Sequence, residues 1–196
     1  MHVNRRVAVA LVWAGAIGAI VALSAAGAPP SKHEAALFQR KLDAIKLQKP
    51  RRTVLTQNEL NAYFMFDAAK DLPVGVVDPA IAIQGGGRLW GRAVVDLDAV
   101  RKANPPKSLL DPKNLLIGRV PLTATGVLTT SNGMGRFALE SAAVGNLPLP
   151  KLLLDEVVSF YTRAARPGGY STDDPFPLPS GIREIQVTRG QALIIQ

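Results

Sequence analysis

The chain of 196 residues has no cysteine, and its two histidines, His2 and His33, both stand near the N-terminus. Without thiols there are no disulfides, no thiolate metal sites and no lipoprotein acylation. Without an imidazole beyond residue 33, histidine-based catalysis and an ordinary zinc site are not expected in the folded part. A chain of this length still buries a sizeable core unaided. Its hydrophobic content of 47% is in keeping with one domain plus a short appendage.

Acidic residues are also missing at the start: none precedes Ala28, while Arg5 and Arg6 stand before an apolar run. From Val7 to Ala28 there is no charge for 22 residues. Secretory signals have apolar regions of about 7–15 residues, and a bilayer span needs about 20. Residues 1–30 therefore read as a signal peptide or transmembrane anchor, with Ser24-Ala25-Ala26 offering small residues for cleavage. Arg5 and Arg6 would keep the N-terminus cytoplasmic and place the main domain in the cell envelope or periplasm, anchored or secreted. The formal net charge is +8, which suits anionic headgroups or acidic polymers. Nucleic acid is not an expected partner outside the cytoplasm.

Residues 31–52 read as a basic helical linker. Ser31 and Glu34 have the spacing of a capping box, and the helix stops near Pro50. Lys49, Arg51 and Arg52 at its end are candidates for headgroup contact. A second capping box, Thr56 and Glu59, opens a helix with Leu60, Tyr63 and Phe64 on one side. Such a stripe is either core or the wall of an apolar pocket.

The period then changes to that of strands. Residues 76–98 form two strands around Gly85-Gly86-Gly87, which lacks the Lys-Ser/Thr ending of a phosphate loop. "IGRVPLTATGVLTT" and "GRFALESAAV" form a hairpin, with Phe137 and Leu139 facing inward and Arg136 and Glu140 outward. After Pro148 and Pro150 comes an apolar helix. Leu153, Val157, Phe160 and Ala164 form one stripe, widened by Leu154, Val158, Tyr161 and Ala165. "IREIQVTRGQALIIQ" is a last hairpin paired into a sheet.

Chemistry is sparse. Asp96 and Asp98 read as strand termination and a helix cap, and Asp173 and Asp174 as turn residues. Ser131, Ser141, Ser159 and Ser171 have neither a Gly-x-Ser-x-Gly setting nor a histidine to activate them. No enzyme activity, cofactor or metal is expected.

"LTQNELNAYF" resembles the T-x-x-E/Q-L-N start of YpmS-like exported proteins. "GRFALESAAVGNLPLPKLLLDEV" and "LPSGIREIQVTRGQALI" are similar to LmeA-like exported proteins. The resemblance spans residues 53–196 and implies a tubular lipid-binding-like fold, a long curved antiparallel sheet around a helix with an apolar groove. The expectation is thus an α+β domain over residues 53–196, a curved antiparallel sheet against two or three helices. It would be a non-enzymatic, membrane-associated protein binding lipid or another apolar ligand, in lipid transport. Leu60, Tyr63, Phe64, Leu153, Val157 and Phe160 would line the cavity. The alternative is an envelope assembly or scaffold protein with a protein partner. Residues 1–35 fused to a reporter active only outside the cytoplasm should give signal; a reporter active only inside would refute export.

Overall fold

The computed structural model describes residues 29–68, 72–103, 105, 108, 117–162 and 167–196, without the side chains of Val157 and 160–162. The N-terminal segment 1–28, and Ala164 and Ala165 of the expected stripe, lie outside the described residues. The fold is α+β. In chain order the elements are α1 (Lys32–Lys46), β1 (Arg52–Thr56), α2 (Gln57–Phe66), β2 (Val76–Gly85) and β3 (Arg88–Asp96). Then come α3 (Leu97–Ala103), β4 (Arg119–Ser131), β5 (Met134–Val144), β6 (Leu147–Pro148) and α4 (Lys151–Thr162). The chain closes with β7 (Phe176–Pro177), β8 (Glu184–Thr188) and β9 (Gln191–Ile195).

The strands form two antiparallel sheets rather than one. The larger has the order β2-β3-β4-β5-β6, with β7 paired to the far end of β5; the smaller is β1-β9-β8. Its existence depends on β1, five residues that sequence patterning did not mark as a strand, the first of them in the linker. They pair with the C-terminal strand from Arg52↔Ile195 to Thr56↔Gln191. The apolar C-terminal strand is paired into a sheet, as its composition suggested, and the pairing with β1 makes it central there.

Local chemistry sets the hairpins. Asn132 and Gly133 turn β4 into β5 with φ of 49° and 77°. Positive φ at both centres gives the turn whose twist matches the flanking strands. Further along, a register shift between Thr125 and Gly126 sets a bulge, and the Phe137 ring lies where a side chain at Gly126 would stand.

Residues 31–52 are not a linker. Helix α1 buries Ala35, Phe38 and Ile45 in the domain, with Leu42 packed on the same core. Both capping boxes form, Ser31 with Glu34 and Thr56 with Glu59. Helix α1 runs antiparallel on α2. Phe38 meets Tyr63 at 5.0 Å between ring centroids, and Lys41 Nζ donates to both Glu59 oxygens at 2.6 and 2.8 Å. The same ammonium donates to the Val54 carbonyl at 2.7 Å, and Glu59 is buried. One ion pair thus joins α1, α2 and β1. The other end of α1 is held by the C-terminal residue, whose Gln196 Nε2 donates to the carbonyls of Ile45 and Ser180, both at 2.7 Å.

Helix α2 lies along the outer edge of β2. The Ile81 N–H donates to Asn61 Oδ1 at 2.7 Å, and Asn61 Nδ2 donates to the Ile81 carbonyl at 2.9 Å. One turn earlier, the Ile83 N–H donates to Gln57 Oε1 at 2.8 Å, and the Ile83 carbonyl accepts from the Gly190 N–H at 2.8 Å. Two amide side chains four residues apart match two backbone positions two residues apart, since about 6 Å separates each pair. Replacing Asn61 by Ala strips partners from both polar groups of Ile81, which should cost about 1–3 kcal/mol. A denaturant midpoint that does not fall would show that this edge does not depend on the amide.

Candidate functional site

The candidate site is the part of the larger sheet beneath and beside α4. Register places Ile81, Gly91, Ala124 and Ala142 in one row across β2 to β5, so they share a sheet face. At one end of the row Ile81 packs with Tyr63 and Phe64; at the other, Ala124 and Ala142 pack with Leu154 of α4. Both helices therefore cover one face, as the apolar helix after Pro150 suggested. Between them the floor is made of small residues, Gly91, Ala93, Ala124 and Gly126, all buried. Small side chains here let a helix approach the sheet closely.

Helix α4 is seated differently from its expected stripe. Leu154 is buried, Leu153 is 53% exposed and Leu152 is 77% exposed. The seat is set where Pro150 brings the chain off β6: Leu149 donates its N–H to the Ala142 carbonyl at 2.8 Å and packs beside Leu154. Position 154, not 153, then faces the sheet.

The following connection is pinned back onto α4 by one carboxylate. Asp155 Oδ1 accepts from the Ser171 hydroxyl at 2.8 Å, the Thr172 N–H at 2.8 Å and the Thr172 hydroxyl at 2.7 Å. The Ser159 hydroxyl donates to the Gly168 carbonyl at 2.7 Å, and Lys151 pairs with Asp173. Between helix and connection lies an open hollow of about 370 Å³ lined by Leu152, Asp155, Glu156, Ser159, Tyr170 and Asp174, among others.

Burial pushes the Asp155 carboxyl up, but the Thr172 N–H, the Thr172 and Ser171 hydroxyls and the Lys151 charge outweigh it. Its pKa is held below the ordinary Asp value. The Lys151 ammonium is raised, chiefly by its hydrogen bond to Asp173. At Asp96 the Ala99 N–H is the main cause of a lowered value; desolvation opposes it and Arg119 reinforces it. These carboxylates are spent on structure. Asp96 accepts the Ala99 N–H at 2.9 Å as the cap of α3, and Asp98 accepts the Gly118 N–H at 2.9 Å. Among the described residues no group of three or more acids or histidines is placed to hold a metal.

The proposed ligand contacts are divided by the structure. Tyr63 and Phe64 are buried with Phe38, Ile81 and Ile83, and Leu60 packs on that cluster from partial exposure. Those three are core side chains. Leu153 lies on α4 with the separate Leu154 cluster nearby, and the side chains of Val157 and Phe160 lie outside the described ones. Lys49, Arg51 and Arg52 are exposed beside the smaller sheet. That sheet meets the Asn132-Gly133 tip of β5, where the Gly133 N–H donates to the Arg183 carbonyl. The exposed Leu147 and Leu152 stand off the opposite end of β5, roughly 33 Å away along an 11-residue strand. Sequence reasoning missed Leu147 and Leu152 as exposed groups. Their signal was the interruption of the apolar block by Pro148, Pro150 and Lys151, which prevents every leucine from facing inward.

Compared against protein families, curated proteins and solved structures, the chain has no match. A lowered folded pKa means that the Asp155 contribution is complete above the unfolded Asp value, about 3.9, and is lost as pH falls through the folded value. Asp155→Ala should therefore lower the melting temperature at neutral pH and flatten its decline in acid. Parallel melting curves from neutral pH into acid for parent and variant would refute this linkage.

Proposed function

We propose that the chain is an exported, membrane-associated, non-enzymatic protein that binds lipid or another apolar ligand where α4 lies over the larger sheet, in envelope lipid transport. One observation carries the reading. Helix α4 rests on a small-residue floor through Leu154, while Leu152, which lines an open hollow, and the neighbouring Leu153 stay exposed. Leucines held in water on a helix that overlies an apolar floor favour an acyl chain or similar group. The carboxylates of Asp155, Glu156 and Asp174 at the hollow disfavour an anionic headgroup there. The uncharged Val7–Ala28 run supports the export and membrane parts of the reading.

A second reading, an envelope scaffold that captures a protein segment, has its own support. Strands β6 and β7 pair only with the two ends of β5, at Ala143–Val144 and Met134–Gly135. An added strand at the stretch between them would take up backbone hydrogen bonds. Native mass spectrometry and lipid extraction on the purified protein separate the two. Lipid adducts that weaken several-fold in Leu153→Asp, with an unchanged melting temperature, are the expected result. An empty parent protein that captures a polypeptide would move the assignment to the scaffold.

A further inference from the structure

The strand ends of the larger sheet gather at one end of the domain. Val76, Val95 and Val120 stand in one row, and Val144 pairs with Leu122 beside them. Five of the exposed large apolar side chains among the described residues belong to connections at this end. Val74 and Ile117 each precede a strand by two residues, Leu147 follows β5, and Leu152 and Leu153 open α4. Leu147 is 73% exposed. Scattered exposed leucines are ordinary, whereas a gathering of them marks an interaction surface.

Two of these connections are held in place. The Gly75 carbonyl accepts the Asp96 N–H at 2.6 Å, and the Gly118 carbonyl accepts the Leu97 N–H at 2.9 Å. Gly75 has a φ of 85°, and a side chain there would stand 2.5 Å from Val100 Cγ2. Val74 and Ile117 are thus presented by backbone fastened to the start of α3.

The direction of α1 names the occupant. Its C-terminal end is fastened by Gln196 to the smaller sheet, and it runs antiparallel to α2, which passes from Ile83 toward the start of β2. The chain therefore enters α1 at the end where the apolar side chains gather. In sequence, Pro29, Pro30 and Ser31 alone separate α1 from the uncharged Val7–Ala28 run. Three extended residues reach about 10 Å, so a run in the bilayer holds this end close to it. At the same end Arg119 and Lys151, paired with Asp96 and Asp173, keep side chains 66% and 57% exposed, and Lys102 is exposed on α3. Long basic side chains there can reach headgroups while leucines enter the interface.

We propose that this end of the larger sheet rests on the lipid bilayer, with Val74, Ile117, Leu147 and Leu152 entering its interface and the smaller sheet facing away. The inference rests on the membrane-associated reading above and adds an orientation to it. The cysteine-free chain permits a direct test. Single cysteines replace Val74, Leu147 or, at the opposite end, Leu47, and each carries an environment-sensitive fluorophore. The full chain is placed in vesicles of phosphatidylcholine and phosphatidylglycerol. Iodide quenching should be several-fold weaker at positions 74 and 147 than at 47, with emission shifted to the blue. Equal quenching at all three, or shielding at 47 instead, overturns the orientation. Shielding at 74 and 147 that is equally strong without vesicles means a second copy covers this end, and overturns it too. Lipid adducts in mass spectrometry with exposed probes would leave the ligand reading standing and remove only this one. Shielded probes without adducts would do the reverse.

Discussion

The open edge of β2 is the constraint on which the rest of the structure depends. An edge strand leaves backbone donors and acceptors unpaired and invites another chain. Here Gln57 and Asn61 supply amide groups along that edge, and Gly190 supplies one backbone N–H. The smaller sheet provides Gly190, and α2 follows directly from β1 in that sheet. Satisfying one edge therefore locks the larger sheet, the smaller sheet and α2 into one arrangement. Tyr63 and Phe64, on the same helix, are carried into the core by the placement that aims the amides.

Lys41 and Glu59 extend this arrangement to α1. Glu59 already accepts the Thr56 N–H in its capping box, so its carboxylate has a fixed position before Lys41 reaches it. Without that ammonium the buried carboxylate would have only the Thr56 N–H to offset its desolvation. The pair therefore requires α1 to lie where it does, and Phe38 fills the space over Tyr63. Thr56, Gln57, Glu59 and Asn61 of the T-Q-N-E-L-N stretch each have structural work within the domain.

The two ends of the body differ in kind. One is closed by the smaller sheet, with Lys49, Arg51 and Arg52 exposed around it. The other has connections bearing Val74, Ile117, Leu147 and Leu152, and receives the chain that enters α1. Helix α4 belongs to this second end: Leu154 anchors it, while Asp155 ties the connection behind it to the same helix. Leu152 lies one turn before Asp155 on the face that lines the hollow, so the polar anchoring and an exposed leucine stand side by side.

Local signals in the sequence were sufficient for the elements whose causes are local. Both capping boxes, the Asn-Gly turn, the Asp96 cap and the alternation that buries Phe137 and exposes Arg136 and Glu140 depend on residues within a few positions of one another. The α+β class follows from them. Pairing over long separations was not legible. Strand β1 has five residues with no clean alternation and becomes a strand because the C-terminal strand, some 140 residues later, lies beside it. The seating of Leu153 and Leu154 was equally hidden, and the Tyr63 stripe left core and pocket wall both open, since an apolar stripe states that a face is buried but not what lies opposite. By itself the sequence determined the elements with local causes and the uncharged N-terminal run. Only the tertiary structure decided which apolar residues became core and which stayed in contact with water, because that choice depends on partners brought together from distant parts of the chain.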